Sequence, residues 1–211
     1  MGSIFDQRAQ EYDAWFDERP FVYRSELDAL QGAVNGRTGL EVGVGTGRFA
    51  HHMGIGYGID PSAPMLSIAR SRGIETVRGR AEHLPFRDGS FDLVLFVTTL
   101  CFLDEPPRAM AEAARVVRPG GRIVIGFIDR SSPPGRAYVA SLRDSPFYEG
   151  ARFHTAQEVE GSLRRTGRGA IDSHQTIFGE PREMTAPHPV IEGHGRGLFV
   201  VMSIEIGQDG Q

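Results

Sequence analysis

The sequence of 211 residues contains 40% hydrophobic and 24% charged residues, a balance typical of one globular domain with a substantial core. Its net charge of −4 gives no positive field that would attract nucleic acid or an anionic membrane surface. All 23 basic residues are arginine, which excludes a phosphate-loop lysine, a Schiff-base lysine and a lysine general base. The single cysteine, Cys101, excludes an intrachain disulfide.

No stretch of the sequence predicts a membrane span or a secretion signal. The apolar runs are shorter than the ~20 residues that a span needs, and the first residues lack the basic-then-apolar order of a signal peptide. We therefore expect a cytoplasmic protein, as a monomer or a homodimer, with no membrane or nucleic-acid partner.

Two amphipathic helices are predicted before the first strand. Residues 5–18 carry apolar side chains at helical spacing, and Pro20 starts a second helix that ends at Asn35-Gly36. We expect most of these side chains to pack against a sheet, while Tyr12 and Trp15-Phe16 also offer polar-tipped aromatic rings that can close a pocket. The apolar faces consist of Phe5, Ala9, Tyr12 and Phe16 in the first helix and of Tyr23, Leu27, Leu30 and Val34 in the second.

From residue 39 to residue 129, short apolar strands alternate with helices. The run Phe91–Val97 is apolar almost throughout, which is typical of a strand buried on both faces. The alternation predicts a doubly wound, mostly parallel α/β sheet with right-handed crossovers. The predicted strands are 39–44, 56–60, 75–79, 91–97 and 122–129, and the predicted helices are 48–53, 62–72 and 104–118.

Beyond Asp129 the regular alternation of short strands and helices stops. An irregular segment with one helix, at about 135–143, leads to His154, and a capping-box pattern from Thr155 to Glu158 starts a helix that ends near Gly167. Two last strands, 169–178 and 197–206, flank a loop rich in Pro, His and Gly. They complete a predicted sheet of seven strands with a final antiparallel strand.

The stretch Glu41-Val42-Gly43-Val44-Gly45-Thr46-Gly47 leaves the first strand and enters a helix. Glycines at alternate positions let the backbone turn sharply and let a ligand approach the main chain. Open α/β sheets bind ligands at this end of their strands. The dinucleotide pattern Gly-x-Gly-x-x-Gly fails here, because a count from Gly43 puts its third glycine at Arg48.

Residues 39–129 resemble the class I S-adenosylmethionine-dependent methyltransferases, in the small-molecule branch that includes the quinone-biosynthesis methyltransferases. Five elements match in order, and together they are far more specific than a glycine loop alone. They are Glu41–Gly47, the acid-ending strand Gly58-Ile59-Asp60-Pro61-Ser62, the loop 81–86, the strand start 90–94 and the corner 115–121.

The resemblance implies a Rossmann-like fold, S-adenosylmethionine as cofactor and S-adenosylhomocysteine as product. It implies one domain with an N-terminal helical lid (1–36), a cofactor-binding core (37–129) and an acceptor-site segment with the last strands (130–211). The glycine loop would face the methionine part of the cofactor, Asp60 the ribose hydroxyls, and Pro61 with Met65 the adenine. The implied cofactor-binding residues are Glu41, Gly43, Gly45, Gly47, Asp60, Pro61, Met65, Ala81, Glu82, Val97 and Thr98.

Simpler roles stand beside these assignments. Asp60 can cap the following helix, Met65 can fill the core, and a loop carboxylate such as Glu82 is commonly solvated. The family often has an acid before the alanine of the adenine loop, but this sequence has Arg80, which has no acceptor. We therefore expect adenine to be bound through the backbone of Ala81, together with Glu82.

The methyl acceptor is expected over the carboxyl ends of strands one and four, with Val97–Phe102 as its floor. Other walls would come from the N-terminal helices and residues 130–155. Thr98 is a candidate for binding cofactor or acceptor or for satisfying the backbone, and Cys101 is expected to be a small buried apolar residue. The candidate catalytic residues are Tyr12, which resembles the family's aromatic residue over the cofactor's carboxylate end, Thr98, and His154 as a base, with Asp129 and His194 as alternatives.

Three functions remain open from the sequence. The first is methyl transfer from S-adenosylmethionine to a nitrogen, oxygen or sulfur atom of a small molecule. The second is a nicotinamide-dependent oxidoreductase, and the third is cofactor binding without turnover. A nucleic-acid methyltransferase is disfavoured, because Val97-Thr98-Thr99-Leu100 stands where an Asn-Pro-Pro-Tyr-type motif would follow strand four. The spacing of the seven histidines predicts no metal site.

Overall fold

A computed structural model describes residues 3–34 and 38–207. In this part of the chain, eight strands form one sheet with helices on both of its faces. The strands are β1 (Gly39–Val42), β2 (Tyr57–Asp60), β3 (Glu75–Arg78), β4 (Phe91–Val97), β5 (Val117–Ile128), β6 (Ile171–Thr176), β7 (Ile191–Glu192) and β8 (Phe199–Glu205). The helices are α1 (Ile4–Gln7), α2 (Ala9–Glu18), α3 (Pro20–Val34), α4 (Arg48–Met53), α5 (Ala63–Ser71), α6 (Pro106–Val116), α7 (Pro133–Ser141) and α8 (Ala156–Thr166).

The strand order is β3-β2-β1-β4-β5-β8-β6-β7. The first five strands pair in parallel, and β8 runs antiparallel to both β5 and β6. The predicted Rossmann-like, mostly parallel sheet with a final antiparallel strand is confirmed. The predicted number of seven strands is too small, because the two-residue strand β7 pairs with β6 inside the loop rich in Pro, His and Gly. Two residues are too few to show the alternation by which a strand is predicted.

Strand β4 shows why both faces of the sheet are apolar. Leu93 and Leu95 pack in one hydrophobic cluster with α3 and α4, while Val94 and Phe96 pack in a second cluster with α6 and α8. Successive side chains of a strand point to opposite faces. A strand covered by helices on both sides therefore needs apolar residues at every position, as the sequence predicted.

Several predicted element boundaries differ from the structure, and three of the differences have a clear local cause. The predicted helix 5–18 is divided at Arg8, whose backbone (φ −129°, ψ 35°) is not helical. The predicted helix 104–118 ends at Val116, because Val117 is already extended and pairs with Phe91. Helix α7 begins earlier than predicted, since the Ser132 hydroxyl accepts a hydrogen bond from the Gly135 N–H and caps it. The predicted end of α3 at Asn35-Gly36 lies outside the described residues.

The capping box that was predicted to start α8 is confirmed. The Thr155 side chain accepts from the Glu158 N–H, and the Glu158 carboxylate accepts from the Thr155 N–H at 2.8 Å. Over the described ranges, no helix is both long and apolar enough to cross a membrane.

Candidate functional site

A cavity lies at the carboxyl ends of β1, β2 and β4, where the sequence placed the cofactor. Together with its open mouth it encloses about 790 Å³. Ten of the predicted site residues line this first cavity, and three (Glu41, Gly47 and His154) do not. The lining residues are Phe5, Tyr12, Gly43, Gly45, Ile59, Asp60, Pro61, Met65, Gly79, Arg80, Ala81, Glu82, Val97, Thr98, Thr99, Phe102 and Leu103.

The glycine loop forms one wall of this cavity. Gly43 and Gly45 have φ values of 71° and 52°, in the left-handed region that side chains rarely adopt. A Cβ atom on Gly43 would lie 2.4 Å from Oγ1 of Thr99, so the loop is packed directly against the end of β4. A Cβ on Gly45 would instead face the cavity, with the Tyr12 ring 3.9 Å away. The wall at Gly45 is therefore bare backbone.

Asp60 is fixed at the tip of β2. One carboxylate oxygen accepts from the Gly45 N–H at 3.0 Å and the other from the Ser62 N–H at 2.8 Å. Burial raises the pKa of Asp60, and these two hydrogen bonds oppose that rise. Each carboxylate oxygen accepts more than one hydrogen bond, so both retain capacity for a ligand. Asp60 thus holds the loop and faces the cavity at once.

Glu41 and Gly47 support the loop from behind. Glu41 is 2% exposed, burial raises the pKa of its carboxyl well above the ordinary value, and its Oε2 accepts from the Ala50 N–H at 2.8 Å. Gly47 begins α4 in the left-handed conformation, and a Cβ there would lie 3.1 Å from Ala69. The contacts of both residues are with protein, and cofactor binding by either stays a prediction.

The loop after β3 closes the opposite side of the cavity. Glu82 is 5% exposed, which contradicts the alternative of a solvated carboxylate. Its Oε1 accepts from the Asp104 N–H at 3.2 Å, next to the start of α6. The Arg80 guanidinium pairs with Asp104 and lies 3.5 Å from Oε2 of Glu82. Met65 is both fully buried and part of the lining, so its two predicted roles are compatible.

The N-terminal helices cover the cavity through aromatic rings. The Phe5 ring contacts Phe102 at 5.3 Å between centroids and Tyr12 at 5.6 Å, and Tyr12 contacts Phe147 at 5.8 Å. The cover is also held by charge, since Arg48 of α4 donates to both Asp13 and Asp17 of α2. Helix α2 is therefore fastened to the helix that begins at the glycine loop.

A second cavity adjoins the first, and Tyr12 and Thr98 line both. The space between its lining residues is about 440 Å³, with the open solvent at its mouth included. Its walls come from α2, α3, α7 and the segments around residues 128, 148, 181 and 198. They consist of Tyr12, Trp15, Phe16, Val22, Glu26, Phe49, Thr98, Ile128, Tyr138, Tyr148, Pro181 and Leu198.

Glu26 of α3 is the functional candidate that the sequence analysis missed. It is 7% exposed, and burial raises the pKa of its carboxyl to about 8. The sequence feature that could have revealed Glu26 is its position inside the apolar stripe of the helix. It lies three residues after Tyr23 and four before Leu30. A carboxylate on a buried helix face is uncommon and needs a physical reason.

The candidate base His154 lies at a third, smaller cavity, where Thr98 and Cys101 also contribute. Its buried Nε2 has no hydrogen-bond partner among the described residues, and its Nδ1 is 3.9 Å from Glu158. Thr98 has a φ of 49°, a strained value for a β-branched residue, and touches all three cavities. Neither of the larger cavities contains His154, so its role as a base stays a prediction.

The other residues considered for chemistry have protein contacts. Oδ1 of Asp129 accepts from the N–H groups of Ser131 and Ala156, at 2.9 and 3.2 Å. Cys101 is buried as predicted, and burial raises the pKa of its thiol to about 12. His194 lines none of the three cavities. Across residues 3–34 and 38–207, no group of three or more His, Cys, Asp or Glu side chains is placed to hold a metal ion.

Comparison with known proteins decides the family. Residues 40–125 match a family described as a methyltransferase domain. A Thermotoga maritima crystal structure, described as an S-adenosylmethionine-dependent methyltransferase and possible histamine N-methyltransferase, shares 43% identity with a TM-score of 0.91, covering 95% of this chain and 97% of that one. The chain belongs to the S-adenosylmethionine-dependent methyltransferases.

Two relatives of this methyltransferase illustrate the range of the family. An uncharacterised protein of Methanocaldococcus jannaschii is 43% identical over 203 residues, which are 96% of this chain and 98% of that protein. The malonyl-[acyl-carrier protein] O-methyltransferase of Geobacter sulfurreducens is 32% identical over 193 residues, 81% of this chain and 70% of that protein. Membership of this family contradicts the nicotinamide-dependent alternative.

The first cavity of this methyltransferase fits the cofactor that the family implies. Asp60 offers two anchored carboxylate oxygens to a pair of hydroxyls, and Gly45 leaves the backbone open to an amino-acid moiety. Ile59 and Met65 supply an apolar surface for a planar ring. These features match the ribose, methionine and adenine parts of S-adenosylmethionine in kind.

Proposed function

We propose that this methyltransferase moves the methyl group of S-adenosylmethionine to a nitrogen, oxygen or sulfur atom of a small molecule. The observation that carries the proposal is the arrangement of the two cavities, which adjoin at Tyr12 and Thr98. The second cavity is lined by side chains and covered by helices, which suits a small molecule better than a nucleic acid or a folded protein. The net charge of −4 supports the same class.

The cofactor supplies an electrophilic methyl group on a positively charged sulfur, and the protein contributes mainly position and exclusion of water. We propose that Asp60 and the backbone at Gly45 hold the cofactor and that Met65 packs against its adenine. Tyr12 covers the junction of the two cavities, and burial raises the pKa of its hydroxyl, so the ring stays neutral. A neutral, apolar cover keeps water from the reacting atoms.

The printed names of relatives do not fix the acceptor. One relative is named as an O-methyltransferase, and another is described as a possible histamine N-methyltransferase. The acceptor of this chain therefore has to be argued from its own second cavity. We also propose that residues 1–36 act as a lid, and that the enzyme works in the cytoplasm as a monomer or homodimer.

Calorimetric titration with S-adenosylmethionine, S-adenosylhomocysteine and NAD tests the cofactor. We expect Asp60→Ala to weaken binding of S-adenosylhomocysteine by about 1–3 kcal/mol, because it removes a charged acceptor. Asp172→Ala is the matched control, since this aspartate lies on β6 and pairs with Arg122 far from the cavity. An unchanged dissociation constant in Asp60→Ala, or tighter binding of NAD, would contradict the assignment.

Turnover is tested separately. The enzyme is incubated with S-adenosylmethionine and a panel of amines, phenols, thiols and carboxylates, and release of S-adenosylhomocysteine is measured. We expect release with one chemical class well above the background of the enzyme alone. Cofactor binding without release across the panel would favour the alternative of binding without turnover.

A further inference from the structure

Glu26 lines the second cavity without a partner of its own. In the described part of the chain no hydrogen bond or ion pair involves its carboxylate, and burial is the one cause of its raised pKa. The residue is only 7% exposed. Buried polar groups almost always have partners, and a buried unpaired charge is strongly unfavourable. A ligand that brings a hydrogen-bonding cation into the cavity would supply the missing partner.

The walls around Glu26 suit a cation. Six aromatic side chains line the cavity within the described residues, and Glu26 is the one charged side chain among all those that line it. The faces of aromatic rings carry negative charge density and attract cations, most strongly when water is excluded. The six aromatic residues are Tyr12, Trp15, Phe16, Phe49, Tyr138 and Tyr148.

Other acceptor classes fit this cavity less well. A carboxylate or phosphate would be repelled by an ionised Glu26 and would meet no positive side chain in the lining. A neutral phenol or thiol would offer no positive charge, so the Glu26 carboxyl group would stay protonated in the complex. An ammonium group forms charge-assisted hydrogen bonds with a carboxylate and lowers the pKa that burial has raised.

We propose that the second cavity is the acceptor site and that the acceptor is a small molecule whose protonated amine pairs with Glu26. An ammonium nitrogen has no lone pair, so this group binds the acceptor, and the methyl group goes to another nitrogen, oxygen or sulfur atom of the same molecule. The inference rests on the proposed function, because Tyr12 and Thr98 join this cavity to the one assigned to the cofactor. Glu26 is then a substrate-binding residue that selects cations. The aromatic rings surround the amine and exclude water from it.

Matched pairs of small molecules test the choice of charge. Ethylamine, benzylamine and 2-phenylethylamine are each compared with the alcohol of the same carbon skeleton, by calorimetric titration into enzyme saturated with S-adenosylhomocysteine. We expect at least one amine to bind at least about 10-fold more tightly than its alcohol, as a charge-assisted hydrogen bond predicts. This comparison uses the unaltered chain and does not depend on any variant folding.

Glu26→Gln keeps the shape of the side chain and removes its charge. We expect this variant to bind the preferred amine about 10- to 100-fold more weakly, with little change for the alcohol and none for S-adenosylhomocysteine. Unchanged binding of S-adenosylhomocysteine also shows that the variant is folded. Asp28→Asn is the matched control, because Asp28 lies on the same helix but is half-exposed, pairs with Arg24 and lines neither cavity.

The inference and the proposed function fail in different ways. Equal binding of amines and alcohols, amine binding unaffected in Glu26→Gln, or no amine bound more tightly than about 1 mM would each overturn the inference. If a phenol or thiol is methylated while amines are ignored, the proposed function stands without the inference. If the unaltered chain fails to bind S-adenosylmethionine or S-adenosylhomocysteine, the proposed function itself fails.

Discussion

The two cavities are built in different ways. The first depends on backbone, since Gly43 and Gly45 adopt conformations that few other residues reach and Asp60 is held by two main-chain N–H groups. The second depends on side chains that come from segments between residue 12 and residue 198. The difference teaches that short motifs encode the cavity that we assign to the cofactor, whereas the fold gathers the side chains of the cavity that we assign to the acceptor.

The two acidic residues show the same contrast. Asp60 has a protein donor on each oxygen before any ligand arrives, whereas Glu26 has none among residues 3–34 and 38–207. An anchored carboxylate offers a fixed pair of acceptors for a ligand of fixed shape. A buried carboxylate without a partner is unfavourable until a cation pairs with it, and we propose the second cavity as selective on this ground.

The largest effect is expected when the backbone of the first cavity is disturbed. Gly43→Ala puts a Cβ 2.4 Å from Thr99 Oγ1 at a φ of 71°, so we expect the free energy of unfolding to fall by about 2–4 kcal/mol. We expect the affinity for S-adenosylhomocysteine to fall at least about 10-fold, since the loop must move. Denaturant unfolding and calorimetry measure both quantities.

The control for this change is Gly32→Ala on α3. A Cβ at Gly32 would have no neighbour within 4 Å, so alanine should raise the free energy of unfolding by about 0.5–1 kcal/mol. If Gly43→Ala behaved like Gly32→Ala, the first cavity would not depend on its glycine backbone, and the contrast between the cavities would be lost.

A smaller effect is expected when the ion pairs that hold α2 over the cavities are removed. The Arg48 and Asp13 side chains are only 12% and 17% exposed, and Arg48→Ala removes one of the two arginines that pair with Asp13, leaving Arg72. We expect a loss of about 2 kcal/mol in the free energy of unfolding, and weaker binding in both cavities, because α2 covers both. The exposed pair of Arg24 and Asp28 gives the control, where Arg24→Ala should cost less than about 0.5 kcal/mol.

The dependence on pH sharpens this prediction. Burial acts to raise the pKa of Asp13, but Arg48 and Arg72 outweigh it and hold that pKa below the ordinary value of 3.8. A lowered folded-state pKa gives stability above pH 3.8 that is lost as the pH falls. The difference between the unaltered protein and Arg48→Ala should therefore shrink in acid, and a difference independent of pH would argue against the ion pair as its cause.

The last effect is a change of stability with pH, and it concerns Glu26 in the absence of acceptor. Its folded-state pKa of about 8 exceeds the ordinary value of 4.5, so the free energy of unfolding should fall as the pH rises between these values. Glu26→Gln stays neutral over this range, so we expect its free energy of unfolding to rise relative to that of the unaltered protein as the pH increases from 5 to 8. Melting curves at both pH values measure the difference, and an equal difference at both would contradict an unpaired Glu26.

The titratable groups around Glu26 do not change their charge between pH 5 and pH 8. The titratable groups that face it are Tyr12 of α2, Tyr138 of α7 and Tyr148, with Tyr23 on its own helix. Burial raises the pKa of each tyrosine, so all of them stay neutral between pH 5 and pH 8. A change in stability over this range then reports Glu26 rather than the tyrosines.

Local patterns explain what the sequence analysis predicted well. The alternation of strands and helices gave the parallel sheet, and the apolar run of β4 gave its burial on both faces. The spacing of the glycines and Asp60 located the first cavity, because each of these residues acts through backbone conformation or its position at a strand end. The break at Arg8 and the strand β7 were missed, since one residue and two residues carry no periodic signal.

The sequence by itself determined the family, the sheet and the place of the first cavity, because short motifs and local alternation encode them. Only the tertiary structure revealed the second cavity and the residues that line it. Its residues lie far apart in the chain, and no spacing rule connects Glu26 with Tyr138 or Leu198. Burial and the lack of a partner are properties of the folded molecule, so Glu26 became a candidate only once its neighbours were in place.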